Sequence, residues 1–296
     1  MSAASSNAKR SGSQTIGRYE LKAKAGEGAS GVVYRAYDPL LDRDCAIKLA
    51  RTNTLSEEEI RHVVEEFHHE AQIAGKFAHE NVVTIYDVVS KGMLNYIVME
   101  FVPGRSLQDY MEVTGPLDLD EALAVMYKCA IGLAYIHFEG VIHRDIKPGN
   151  IMYHPAQRVT KLMDFSVAHK IEQKPSRDTG TIAYMAPEHF DRKRRISMLT
   201  DIFAMGSTMY RILSGKYPFD QQHTAFQILH QDPEPLRNLR PQVPPEVEQL
   251  VNRAMAKQDA DRFQSSAELA RAIEATARTL YPHADIIDTD PPYLEL

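Results

Sequence analysis

Residues 141–152 read VIHRDIKPGNIM. Two apolar segments, Val141-Ile142 and Ile151-Met152, enclose a loop that holds His143, Arg144, Asp145, Lys147 and Asn150. These parts suit phosphoryl transfer. The Asp145 carboxylate can orient a hydroxyl and accept its proton, Lys147 can neutralise a γ-phosphate, and the Asn150 amide oxygen can ligate Mg²⁺. Fourteen residues after Asn150, Asp164 follows Leu162-Met163 and can supply a second metal-ligating carboxylate.

Working back towards the N-terminus, Gly26, Gly28 and Gly31 form a GxGxxG pattern. Alone it is weak: a dinucleotide-binding turn needs a helix next, whereas here a strand-like run, 32–37, follows directly. Glycines between two antiparallel strands let backbone N–H groups approach phosphates, and a plain hairpin turn is the competing reading. Lys48 ends the strand-like Cys45-Ala46-Ile47-Lys48. It is either a solvent-facing edge lysine or a charge that meets a partner and grips nucleotide phosphates. Residues 56–76 have helical periodicity, with Ser56 and Glu59 at capping-box spacing. That helix offers Glu70, beside the apolar positions Ala71 and Ala74, as the carboxylate partner; Glu65 and Glu66 are rivals. Residues 81–89 and 94–101 return to strand-like sequence, and Pro103-Gly104 breaks the chain. Beyond it the pattern predicts helices over 106–111, 119–138, 200–213, 225–229, 245–256 and 265–280.

The glycine-rich loop, Ala46-Ile47-Lys48, His143-Arg144-Asp145 with Asn150, Asp164-Phe165 and Ala186-Pro187-Glu188 stand in one order along the chain. In that order and spacing the chain resembles eukaryotic-type (Hanks-type) protein serine/threonine kinase catalytic domains, with a bacterial flavour, over about residues 19–280. The resemblance implies an α+β, bilobal protein kinase fold. A five-stranded antiparallel N-lobe (18–101) carries one main helix, a hinge runs over 100–104, and a larger helical C-lobe (102–280) follows, with ATP in the cleft. Residues 1–17 read as a disordered tail and 281–296 as a C-terminal tail.

Residue by residue, the resemblance implies that Lys48 pairs with Glu70 and holds ATP phosphates under Gly26, Gly28 and Gly31. Asp145 becomes the catalytic base, Lys147 stabilises the transferring group, and Asn150 and Asp164 hold Mg²⁺, with Mn²⁺ as an alternative. Met99 resembles a gatekeeper. Glu100 and Val102 resemble hinge residues whose backbone binds adenine, and Val33, Ala46 and Met152 would sandwich the ring, ordinary core packing being the alternative for these three. Thr181 would contact the catalytic aspartate and lysine. Asp201 resembles the aspartate that anchors the Asp145 loop, and Glu188 resembles the partner of Arg262. Arg144 could receive a phosphate from Ser176 or Thr179, Thr179 being the better candidate, through autophosphorylation, for which two copies could pair. The basic run 189–195 reads as solvated surface or as an acidic docking site.

One departure is Asp164-Phe165-Ser166, where the family has glycine third. It loses backbone freedom and could restrict a flip of the segment or bond to Asp164. A nucleotide-gated pseudokinase and a small-molecule phosphotransferase remain as competing readings; the intact catalytic set opposes the first, and Thr181 with Ala186-Pro187-Glu188 opposes the second.

Composition bounds the rest. The 296 residues have a net charge of −6, which gives no sign of nucleic-acid binding. Cys45 and Cys129 make no disulfide framework and fit a reducing cytoplasm. No stretch predicts a signal peptide or a membrane span; the apolar 122–136 is too short and reads as a buried helix. ATP and protein substrates are the expected partners.

Overall fold

In the N-terminal half, the apolar alternation becomes a six-stranded antiparallel sheet in the order β1-β2-β3-β4-β6-β5. Its strands are β1 (Thr15–Ile16), β2 (Tyr19–Gly28), β3 (Gly31–Asp38), β4 (Arg43–Ala50), β5 (Ile85–Lys91) and β6 (Leu94–Glu100), with helix α1 (Glu57–Ala74) between β4 and β5. The computed structural model describes residues 14–28, 31–51, 56–91, 94–170, 181–219, 224–283 and 287. Ser176 and Thr179 lie outside the described residues, as do most of the two expected tails.

The sheet has six strands rather than five, and order begins before Arg18: Thr15 pairs with Glu20 and Ile16 with Tyr19. Ile16 is buried in the same core cluster as Tyr19, so two residues of the expected tail belong to the fold. The strand expected over 81–89 starts only at Ile85. Its first residues are drawn elsewhere: Asn81 Nδ2 donates to Thr160 O (3.0 Å), Leu162 N to Asn81 O (2.8 Å) and Val83 N to Leu162 O (3.0 Å).

The chain divides into two compact units. One holds the sheet, with the chain up to Phe67 and Ile85–Phe101; the other holds His68–Thr84 and everything from Val102 on. The first unit's core is one face of the sheet, where Ile16, Tyr19, Ala36, Cys45, Ile47, Tyr96 and Val98 are buried together. A Cβ on Gly31, at φ +151°, would meet Leu49 O at 2.1 Å, so this glycine is required by the packing of β3 on β4.

The second unit is mainly helical. It contains β7 (Arg105–Ser106), α2 (Leu107–Thr114), α3 (Leu119–Phe138), β8 (Val141–Ile142), β9 (Ile151–His154), β10 (Val159–Leu162), β11 (His169–Lys170), α4 (Met198–Ser214), α5 (Thr224–His230), α6 (Leu236–Leu239), α7 (Pro245–Ala254) and α8 (Ser266–Leu280). Helix α3 is buried on most of its surface, which explains its nearly unbroken apolar sequence. Among the described residues no helix is long and apolar enough to cross a membrane. Ser106 and Ser265, expected inside helices, are instead their N-caps: each hydroxyl accepts an N–H from three residues on, Asp109 and Glu268, at 3.0 Å.

Candidate active site

Strand β8 delivers the chain into the 143–150 loop, whose backbone is held from below. Asp201, in the first turn of α4, is fully buried. Its Oδ2 accepts His143 N (2.8 Å) and its Oδ1 accepts Arg144 N (2.7 Å), while the His137 ring donates Nε2–H to Oδ2 (2.8 Å). Burial works against the Asp201 charge. The His137 hydrogen bond, the fields of His137 and His143 and the Arg144 N–H outweigh it, so the carboxyl lies below its usual range. Arg144 has φ +70°, a conformation a side chain adopts at a cost, and the Asp201 clamp holds it there. His143 is also fixed, its Nε2 donating to Met163 O (3.1 Å) and its ring 4.9 Å from that of Phe165.

On this support Asp145, Lys147, Asn150 and Thr181 come together. Asp145 Oδ2 accepts from Lys147 Nζ (2.6 Å) and Asn150 Nδ2 (2.8 Å). Its Oδ1 accepts from Thr181 N (3.1 Å) and from the Thr181 hydroxyl (3.0 Å). Lys147 Nζ also donates to Thr181 Oγ1 (2.6 Å), so this hydroxyl donates once and accepts once, within its capacity. Asn150 Nδ2 reaches Asp145 O as well (2.9 Å). With its nitrogen committed to Asp145, the Asn150 amide has its oxygen available as a ligand atom.

Asp164 has φ +60° and accepts Ser166 N at Oδ1 (3.3 Å). The bond to Asp164 thus comes from the backbone of Ser166, which glycine would supply equally well. Ser166 is not among the residues of positive φ, so the lost glycine costs nothing in this conformation. Phe165 is buried against His143 and against Phe77, at 5.1 Å between ring centroids.

In the first unit, strand register sorts the expected nucleotide contacts. Val33 pairs with Lys48, Ala46 with Met99 and Lys48 with Ile97. Directly paired residues share a face. Val33, Ala46, Lys48 and Met99 therefore lie on the side opposite the Cys45–Ile47 core, while Glu100, paired with Cys45, faces the core side. Lys48 is buried, with its Nζ 5.7 Å from the Phe67 ring centroid, and is not an exposed edge lysine. A Cβ on Gly26 would meet nothing within 4 Å, so the space beside that backbone is open; Gly28 ends β2. On α1, Glu65 and Glu66, in the first unit, are exposed, whereas Glu70, in the second, is buried. Val102 is buried, and the half-buried Met152 pairs with Lys161 and Ser106.

Below Thr181 the chain is pinned again. Arg262 Nη1 and Nη2 donate to Glu188 Oε1 (2.8 Å) and Oε2 (2.9 Å), both side chains having no solvent exposure. Arg262 further donates to Ala256 O and Leu199 O, each at 2.8 Å, and Thr200 Oγ1 donates to Glu188 Oε1 (2.9 Å). The basic run 189–195 is corrected in part. Buried His189 closes a turn on Ala186, and Arg194 lies 3.5 Å from Glu188 and bonds to Asp259; Arg192, Lys193 and Arg195 are exposed. The roles of Arg194, Thr200, His137 and Ser266 were not legible in the sequence, since each depends on a partner more than ten residues away and no motif of the resemblance includes it.

Comparison with known proteins follows this geometry. The family described as the protein kinase domain matches residues 19–272. The chain is 34% identical over 284 residues to a probable serine/threonine-protein kinase of Corynebacterium efficiens, covering 90% of this chain and 42% of that protein. It is 32% identical over 277 residues to the serine/threonine-protein kinase PrkC of Bacillus subtilis, covering 91% and 41%. Against the serine/threonine-protein kinase PknA of Mycobacterium tuberculosis it is 31% identical over 275 residues, covering 90% and 63%. The chain therefore spans about two fifths of the length of the first relatives it matches.

Proposed function

Because this chain belongs to the protein kinase family, which uses ATP and a divalent metal ion, we propose that it transfers the ATP γ-phosphoryl group to Ser or Thr hydroxyls of proteins, with Mg²⁺ as the ion. The observation that carries this reading is the Asp145 carboxylate, held by Lys147, Asn150 and Thr181 through bonds of 2.6–3.1 Å. The relatives' names support Ser and Thr as the acceptors.

The donor set suits such an ion. Among the described residues no group of three or more His, Cys, Asp or Glu could hold a metal alone. One amide and one carboxylate, Asn150 and Asp164, match an ion that takes its remaining ligands from phosphates and water. When bound, the nucleotide and ion supply the phosphoryl group and offset its charge. The chain's part is positioning and electrostatics. Asp145 orients the acceptor hydroxyl and takes its proton. Lys147 stands beside it as a fixed positive charge. Thr181 holds Asp145 and Lys147 in one arrangement. Lys48, with Glu70 as partner carboxylate, grips the phosphates under Gly26, Gly28 and Gly31. Val33, Ala46, Met99 and Met152 form the adenine surface, and the backbones of Glu100 and Val102 bind its edge. A second copy phosphorylates Thr179 or Ser176, and Arg144 receives that phosphate. Two buried free thiols, Cys45 and Cys129, support action in a reducing cytoplasm.

Transfer of label from γ-labelled ATP to the protein itself and to a basic acceptor protein tests the reading. Label on Ser or Thr is expected with Mg²⁺, and chelation of divalent ions abolishes it until Mg²⁺ returns. An intact mass with one or more added phosphates is expected after ATP treatment. No transfer despite thermal stabilisation by ATP would replace the enzyme with a nucleotide-gated binding module, and label on small metabolites alone would replace the protein substrate.

Thr181→Ala should lower kcat about tenfold or more, because hydrogen bonds to charged groups contribute roughly 1.5–3 kcal/mol. Thr181→Ser, which keeps the hydroxyl, should stay close to the parent. Equal kcat in all three proteins would remove Thr181 from the site.

A further inference from the structure

The Asp201 clamp has a continuation that reaches a third helix. His137, in the last turn of α3, donates through Nε2 to Asp201 (2.8 Å), and its other ring nitrogen, Nδ1, lies 3.1 Å from the hydroxyl of Ser266. Ser266 is the first residue of α8, one past the N-cap Ser265. All three side chains are buried: Ser266 is 1% exposed, His137 7% and Asp201 0%. The chain of bonds therefore runs from α8, through α3 and α4, to the N–H groups of His143 and Arg144, immediately before Asp145.

We propose that Ser266 is a positioning residue for the Asp145 loop: its hydroxyl fixes the ring orientation of His137, so that His137 donates to Asp201 and Asp201 holds the loop backbone. The chemistry runs in one direction. An ionised carboxylate only accepts, so His137 must carry its proton on Nε2. Nδ1 is then a lone pair in the neutral ring and an N–H in the charged ring, and either one buried without a partner is destabilising. The Ser266 hydroxyl, which can donate or accept, satisfies both. With no hydroxyl there, nothing holds Nδ1, and the ring is free to turn, which weakens its bond to Asp201. The clamp then leans on the two N–H groups of the loop, one of which belongs to Arg144 at φ +70°. A loop released at that point shifts Asp145, and small misplacements of a reacting group cost rate steeply. Ser266 is too deeply buried to touch a substrate, so its influence passes through His137.

The test compares Ser266→Ala, Ser266→Cys and Ser266→Thr with the parent. Protein labelled with ¹⁵N in histidine and in the backbone reports the His137 ring nitrogens and the His143 and Arg144 amides. In Ser266→Ala the Nδ1 resonance and both amides are expected to move. kcat falls about threefold to tenfold, the rate equivalent of one neutral hydrogen bond, while KM for ATP stays within about twofold. Ser266→Cys, with a weak donor in nearly the same volume, lies between, and Ser266→Thr restores the parent values. Unmoved His137, His143 and Arg144 resonances in folded Ser266→Ala would overturn the proposal. So would a lower Tm with kcat per folded molecule unchanged, since that marks Ser266 as a core residue only. The kinetic arm rests on the proposed phosphoryl transfer, but the resonance arm does not: if the parent transfers no phosphate, the ring and amide shifts alone decide.

Discussion

Asp145→Asn is expected to leave the protein folded while lowering phosphoryl transfer by about 10²-fold to 10⁴-fold, the range attributed to a positioned acid or base. The substitution keeps the shape of the side chain and removes its charge. In the parent all four contacts to the carboxylate are donors: Lys147 and Asn150 on Oδ2, and the N–H and hydroxyl of Thr181 on Oδ1. An amide offers one acceptor and one NH₂ group, so one pair of donors faces a donor. Thr181 can rotate its hydroxyl and Lys147 can turn towards solvent, which keeps the structural penalty modest at this partly exposed position. The proposed proton acceptor, however, is gone, and nothing on the loop replaces it; His143 is fully buried and committed to Met163 and the Asp145 N–H. The check is single-turnover transfer beside a melting curve and ATP titration. Unchanged ATP affinity and Tm within a few degrees, with the rate lost, assigns the proton to Asp145. A rate within about tenfold of the parent would reduce Asp145 to a structural acceptor, because one lost hydrogen bond accounts for no more than that.

Apart from what the family resemblance implied, such as Glu188 with Arg262 across 74 residues, what could be seen in the sequence divides by distance along the chain. The loop over 143–150 was legible because its functional side chains are packed into eight residues between two apolar segments, and Asp164 follows at short range. Helices were legible where periodicity ran for several turns, as in α3, found at the expected bounds of 119–138. Two-residue strands such as β1, β7, β8 and β11 are too short to show any period, and each exists through a partner elsewhere in the chain. Ser106 and Ser265 looked helical because a cap is adjacent to the helix it starts. Gly31 was legible as a glycine that mattered, but its reason is the carbonyl of Leu49 on the next strand. His137, Ser266 and Arg194 gave no signal. Their partners lie 64, 129 and 65 residues away, for Asp201, His137 and Asp259 respectively, and only the fold brings them within reach.

The largest expected loss of stability comes from Arg262→Met. It removes the partner of a carboxylate that has no solvent exposure, and stranding one charge of a buried pair typically costs about 3–5 kcal/mol. At roughly 2–4 °C per kcal/mol for a domain of this size, the melting temperature should fall by about 10 °C. Thr200 and Arg194 still reach Glu188, the first at 2.9 Å and the second at 3.5 Å, and they set how much of the loss is recovered. Glu188→Gln in the Arg262→Met background removes the stranded charge and should restore part of the stability, a rescue that simple loss of packing would not give. Acid adds an independent check. Burial alone would push the Glu188 carboxyl up. The hydrogen bonds and charge of Arg262, its own backbone N–H and the Thr200 hydroxyl more than offset this, so the folded value lies below the ordinary 4.5. A depressed carboxylate stabilises the folded state above its unfolded value, and that contribution is lost as pH falls through the folded value. The gap in Tm between the parent and Glu188→Gln should therefore be constant above about pH 4.5 and close below it. The same pair fixes the chain immediately after Thr181, so Arg262→Met should also lose transfer activity at temperatures where it remains folded. Activity per folded molecule equal to the parent would mean that the 181–189 segment holds its place without the Glu188 anchor.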